Sequence, residues 1–106
     1  MAKRLLSLPE LALLLYMLRE KPDSERFLFQ LPTIEVEDMN DGGMGSLRFA
    51  SSKPNRKRGS VTAALQFNDD DGVPVLVALY LDKEGELYEL DSWKVNYSPL
   101  IRIPNF

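Results

Sequence analysis

The sequence predicts an α+β domain, with one N-terminal helix packed on an antiparallel sheet of about five strands. Three observations predict it. An apolar run, Leu11–Leu18, follows a capping signature and contains no β-branched residue. From Ile34 onward the apolar residues recur at every second position. Asp- and Gly-rich turns then separate the alternating runs. At 106 residues the chain has the size of one domain, 1–106.

The helix is predicted over Leu8–Glu20. Ser7 serves as N-cap, Glu10 stands three residues later, and Pro9 is tolerated in the first turn. Arg19, Glu20 and Lys21 restore charge, and Pro22 disfavours helical geometry at the residue before it. Leu11, Leu14, Leu15 and Leu18 are expected in the core. The helix is apolar on all sides, so either other segments of the chain or a second copy must cover its outer face, and a homodimer is expected.

A linker containing Phe27, Leu28 and Phe29 leads to the strands. Ile34–Glu37, Leu47–Phe49 and Val61–Phe67 alternate as half-buried antiparallel strands do. Val75–Leu81, apolar throughout, is expected to be central and covered on both faces, and Glu86–Leu90 and Trp93–Tyr97 complete the set. Asp70-Asp71-Gly72 and Asp82–Gly85 read as hairpin turns, Gly85 being placed for a left-handed residue. The polar stretch Ser51–Gly59 is expected to be a loop, mobile and basic over residues 53–59.

Composition excludes several chemistries. The chain contains no cysteine and no histidine, which removes disulfides, thiol nucleophiles, zinc fingers and Ser–His pairs. No cofactor and no metal are expected. The formal charge is −3, and apart from Lys53, Arg56, Lys57 and Arg58 nine basic residues face sixteen acidic ones, leaving −7. A basic loop thus sits on an acidic body that repels nucleic acid and anionic membrane, and neither is an expected partner. The N-terminal apolar run is too short to span a bilayer and lacks a small-residue cleavage site, so a cytoplasmic location is expected.

Four sets of residues suggest chemistry. The segment Met39–Gly45 is glycine-rich, but its spacing fits neither a Walker loop nor a dinucleotide fingerprint, and Glu35, Glu37, Asp38 and Asp41 would repel phosphate. It reads as a strained turn whose two methionines offer a soft contact surface. Asp69–Asp71 resembles a calcium loop only superficially: with Gly72 at the sixth position, Phe67 and Ala78 would occupy ligand positions. Glu86, Glu89 and Asp91 could supply paired carboxylates, yet period-two acids usually mark the solvated face of a strand. Trp93, Val95 and Tyr97 would project to one side, either into the core or as an exposed aromatic patch.

The stretches Asp38–Phe49, Asp70–Val73 and Leu87–Leu100 resemble a family of small bacterial proteins known as a domain of unknown function. The resemblance spans residues 8–104. It implies a bacterial source and a one-domain protein, and it supplies no catalytic residues. In size and acidity such proteins are similar to immunity proteins that neutralise a toxin, an analogy of class rather than of motif.

The leading expectation is a non-catalytic protein-binding module, immunity-like, with Asp38, Met39, Asp41, Gly42, Gly43, Met44 and Trp93 as its binding residues. Acidic turns would steer a basic protein partner, and the methionines and Trp93 would hold it. The alternative is a small carboxylate- or metal-dependent enzyme using Asp38, Asp41 and Asp69–Asp71.

Overall fold

A computed structural model describes residues 2–106. Its first strand, β1 (Arg4–Leu5), precedes helix α1 (Leu8–Leu18) and a one-and-a-half-turn helix α2 (Glu25–Gln30). Five strands follow: β2 (Glu35–Asp38), β3 (Leu47–Phe49), β4 (Arg58–Asn68), β5 (Pro74–Asp82) and β6 (Leu87–Lys94). All pairings are antiparallel and the order across the sheet is β1-β2-β3-β6-β5-β4. The α+β class is therefore correct, with six strands and a second helix.

The capping box forms as the spacing requires. The Glu10 amide donates to Ser7 Oγ at 3.3 Å, and the Glu10 carboxylate accepts from the Ser7 amide at 2.8 Å. The helix stops at Leu18 rather than Glu20: Arg19 and Glu20 form a turn closed by the Lys21 amide on the Leu18 carbonyl at 3.1 Å, and the chain then passes through Asp23 at a φ of +61°. Ser24 Oγ donates to the carbonyls of Leu18 and Lys21, tying the end of α1 to the start of α2. Both helices lie on one face of the sheet. There Leu14, Leu18, Phe27 and Leu31 pack with Val36, Leu47, Phe49, Val77, Leu79 and Leu90.

Several expectations are corrected. Leu14 and Leu18 are buried and Leu11 is half-buried, but Leu15 is 43% exposed. Part of the outer helix face is wrapped by the chain itself: the Phe106 ring lies 5.0 Å from that of Tyr16. β5 is central but covered on one face only. Val75, Val77 and Leu79 are buried, whereas Leu76 on the other side is exposed. The two strands expected at 86–90 and 93–97 are a single strand ending at Lys94, and Tyr97 sits in a turn with φ +64°. The polar pair Asp91-Ser92 does not break it, because buried Ser92 is hydrogen-bonded to Ser46 on the neighbouring chain segment. Arg58 and Gly59, assigned to the basic loop, begin β4. Gly85 adopts the expected left-handed conformation, φ +86°.

Candidate functional site

The glycine turn, residues 39–46, joins β2 to β3. Its conformation is fixed by Asp41, whose carboxylate accepts from the amides of Met44 (3.1 Å) and Ser46 (2.9 Å). Gly42, Gly43 and Gly45 have φ of +75°, +80° and +99°, values that L side chains adopt only under strain. Gly45 has a second constraint, since a Cβ there would lie 3.0 Å from Leu100 Cδ2. The Gly43 carbonyl accepts from the Leu100 amide at 2.9 Å, so the turn is seated on the C-terminal segment. Ser46 Oγ also accepts from the Ser92 amide at 2.9 Å, joining the turn to β6. Met39 and Met44 are half-buried against this framework.

Asp38 is paired within the chain while its side chain stays 64% exposed. The Arg4 guanidinium donates to it at 2.7 and 3.1 Å and grips Glu10 through its other side at 2.8 and 2.9 Å. This one arginine joins β1, the start of α1 and the end of β2. Its hydrogen bonds hold the Asp38 carboxyl below the usual carboxylate range. For Glu10, burial pushes the pKa up, but Arg4 and the Ser7 amide outweigh it and the net shift is down.

The second acidic turn, between β4 and β5, is built around a buried cation. Lys94 is fully buried on the core face of β6, and its Nζ donates to Asp69 at 2.9 Å, to Asp71 at 2.7 Å and to the Pro99 carbonyl at 3.2 Å. Asp69 is 4% exposed and also accepts from the amides of Asp70, Ile101 and Arg102. Burial alone would raise its pKa; the backbone amides of Ile101, Asp70 and Arg102, together with Lys94, hold it far below the ordinary range. Lys94 is likewise pushed down by burial and up by Asp69 and Asp71, with a net rise. The carboxylates named for an enzyme are thus engaged in separate structural tasks. Asp69 and Asp71 hold Lys94, Asp38 holds Arg4, and Asp41 shapes its own turn. Among the described residues no three such side chains converge as metal ligands.

The face of the sheet opposite the helices is uncovered. Trp93 and Leu76 are paired across β6 and β5 on this face and are 40% and 38% exposed. The Tyr97 ring lies 6.0 Å from the Trp93 ring, and Val95 is exposed beside them in the chain. Of the two readings of the tryptophan, the exposed patch is the one realised. Farther along the same face, Glu89 is buried beneath two arginines: Arg48 Nη2 donates to one carboxylate oxygen at 2.9 Å, and Arg58 Nη2 donates to the other. Period-two spacing predicts Glu89 on a solvated face; its cations come from β3 and β4, strands that pairing alone brings near. Glu86 pairs with Arg26 at 3.0 Å, and Asp91 is half-buried.

The basic loop contributes a further surprise. Arg56 is nearly buried, donating to Asp82 at 3.0 Å and to the carbonyls of Phe49 and Leu87. It therefore fastens the loop to the sheet end instead of meeting solvent. Lys53 reaches Glu84 at 3.6 Å, and Lys57 is exposed.

Among the described residues no helix is long and apolar enough to cross a membrane. No curated protein and no solved structure matches the chain. A family model does match, over residues 3–104, and by that match the chain belongs to the domain of unknown function DUF6984.

Proposed function

We propose that this protein is a cytoplasmic, non-catalytic protein-binding module of immunity-like character that holds a basic protein partner on the open face of its sheet. The observation that carries the reading is Trp93. It is the chain's only tryptophan, it stands 40% exposed on the uncovered face, and it is grouped there with Tyr97 and Leu76. Leaving an indole and its apolar neighbours in water forgoes about 25 cal/mol per Å² of burial, which contact with a partner recovers. Tryptophan and tyrosine are also the residues that most often dominate interface energetics.

Charge supports a basic partner. The chain as a whole carries −3, which favours approach of a cation and raises its association rate more than its final affinity. The contribution of the glycine turn shifts in emphasis. Asp41, Gly42 and Gly43 set its shape, Asp38 is already paired with Arg4, and Met39 and Met44 offer partial apolar surface.

The test uses wild-type and Trp93→Ala proteins as immobilised baits in a lysate of the source cell, with both baits first shown to melt cooperatively. A basic protein retained by wild type at low salt, lost on Trp93→Ala, and able to arrest growth unless this protein is co-expressed is the expected result. Equal retention by both baits, or growth arrest unaffected by co-expression, overturns the reading.

A further inference from the structure

The long outer strand of the sheet has a free side. β4 runs for 11 residues and pairs only with β5, whereas β1 at the opposite edge has two residues. Among the described residues, the backbone of Ser60–Asn68 makes no hydrogen bond outside its ladder with β5. Exposed edges are normally blunted by charge, proline or bulges. Ser60–Asn68 contains no Lys, Arg, Asp, Glu or Pro. The irregularities between Arg58 and Ala63 disturb one end, but the register from Ala63 to Asn68 is unbroken. Beside that stretch lies an open hollow between the end of α1 and β4, bordered by Tyr16, Arg19, Glu20, Lys21, Ala64 and Leu65.

The charges at the two ends of β4 select its occupant. Lys57 and Arg58 stand at the start, and Asp70 and Asp71 follow the end, Asp69 being buried on Lys94. Lys57 is exposed and forms no salt bridge among the described residues; the Asp70 side chain is 47% exposed and meets Arg102 at 3.2 Å, and Arg58 and Asp71, shared with Glu89 and Lys94, remain partly exposed. A second copy of β4 laid antiparallel places the basic end of each chain on the acidic end of the other. A parallel arrangement would set like on like. Antiparallel self-pairing about a two-fold axis is the isologous arrangement in which most homodimers close. With the axis near exposed Ala64, the paired positions are Thr62 with Gln66 and Ser60 with Asn68, which are uncharged.

We infer that β4 is a homodimerisation edge, on which a second copy of this chain adds its own β4 antiparallel to make one continuous sheet across both copies. This interface is distinct from the outer face of α1 and from the Trp93 patch, and it does not depend on the proposed partner.

Light scattering and sedimentation across a concentration series up to on the order of 100 µM are expected to approach twice the 12.1 kDa chain mass. Ala64→Lys sets two like charges opposite each other at the axis and should weaken the dimer about tenfold without lowering the melting temperature of the monomer. Lys57→Glu and Asp70→Lys should each weaken self-association about three- to tenfold at low salt. A monomer at all concentrations overturns the inference. A dimer indifferent to Ala64→Lys also overturns it.

Discussion

Aspartate and glycine shape both the turn at 39–46 and the turn at 69–72, and the two sit at the same end of the sheet against the C-terminal segment. In the first, an aspartate caps amides of its own loop and no cation enters. In the second, two aspartates converge on a lysine delivered by a strand 23 and 25 residues away, and that lysine is fully buried. One turn is an ordinary loop stiffened by local hydrogen bonds. The other is a buried ion triad on which the C-terminal segment is fastened. An acidic glycine turn is thus ambiguous until the nearest long-range cation is known, because the cation determines whether the carboxylates are solvated, structural or available.

Perturbing the second turn should give the largest effect. Asp69→Ala leaves the buried Lys94 with only partly exposed Asp71 and the Pro99 carbonyl and frees the amides of Ile101 and Arg102, and a loss of about 3–5 kcal/mol in urea unfolding is expected. A loss below about 1 kcal/mol would show the triad to be energetically neutral.

Acid should reproduce that loss without mutation. Asp69, Asp71 and Asp82 have folded-state pKa values held below the ordinary carboxylate range. Their stabilisation is complete above their unfolded values of about 4 and disappears as pH falls through the lower folded values. Unfolding midpoints should therefore be flat from about pH 5 to 8 and drop below about pH 4, with a shallower drop in Asp69→Ala. Lys94 acts in the opposite direction: its raised pKa gives stability that is complete below about pH 10 and is lost above its folded value.

The first turn should respond more mildly. Gly45→Ala imposes a left-handed conformation on alanine and presses on Leu100, and a loss of about 1–3 kcal/mol is expected by thermal melting. Trp93→Ala is expected to have the smallest effect on the fold, about 1–2 kcal/mol against the 3–5 typical of a core aromatic, while the loss of partner retention is complete. The adjacent positions 93 and 94 then separate binding from stability on a single strand.

What the sequence made legible was local. Ser7 and Glu10 are three residues apart and announce the helix; Val61 to Phe67 alternate by neighbours; Gly85 names its own turn. The relations that decide the site are distant. Glu89 lies 41 residues from Arg48 and 31 from Arg58, and no spacing rule links positions whose proximity depends on β3 and β4 both flanking the β5–β6 hairpin. Arg56 looked solvated because its acceptors, Phe49, Asp82 and Leu87, are contributed by three different strands or their ends. α2 and β1 were missed because six residues and two residues are too few to display a period. Ser92 disguised β6 as two strands, since a serine whose hydrogen bonds lie on another segment looks in sequence like a break.

The strand order has a consequence for how the chain reaches its native state. β6 is the last strand in sequence but lies third from the end of the sheet, between β3 and β5. Until β6 has been synthesised, no backbone ladder joins β1–β3 to the β4–β5 hairpin, and the core that the helices cover lacks Leu87 and Leu90. During translation the protein must therefore wait for its final strand and close in one late, non-local step, the kind of loop closure that slows folding and leaves apolar strands vulnerable to capture by other chains.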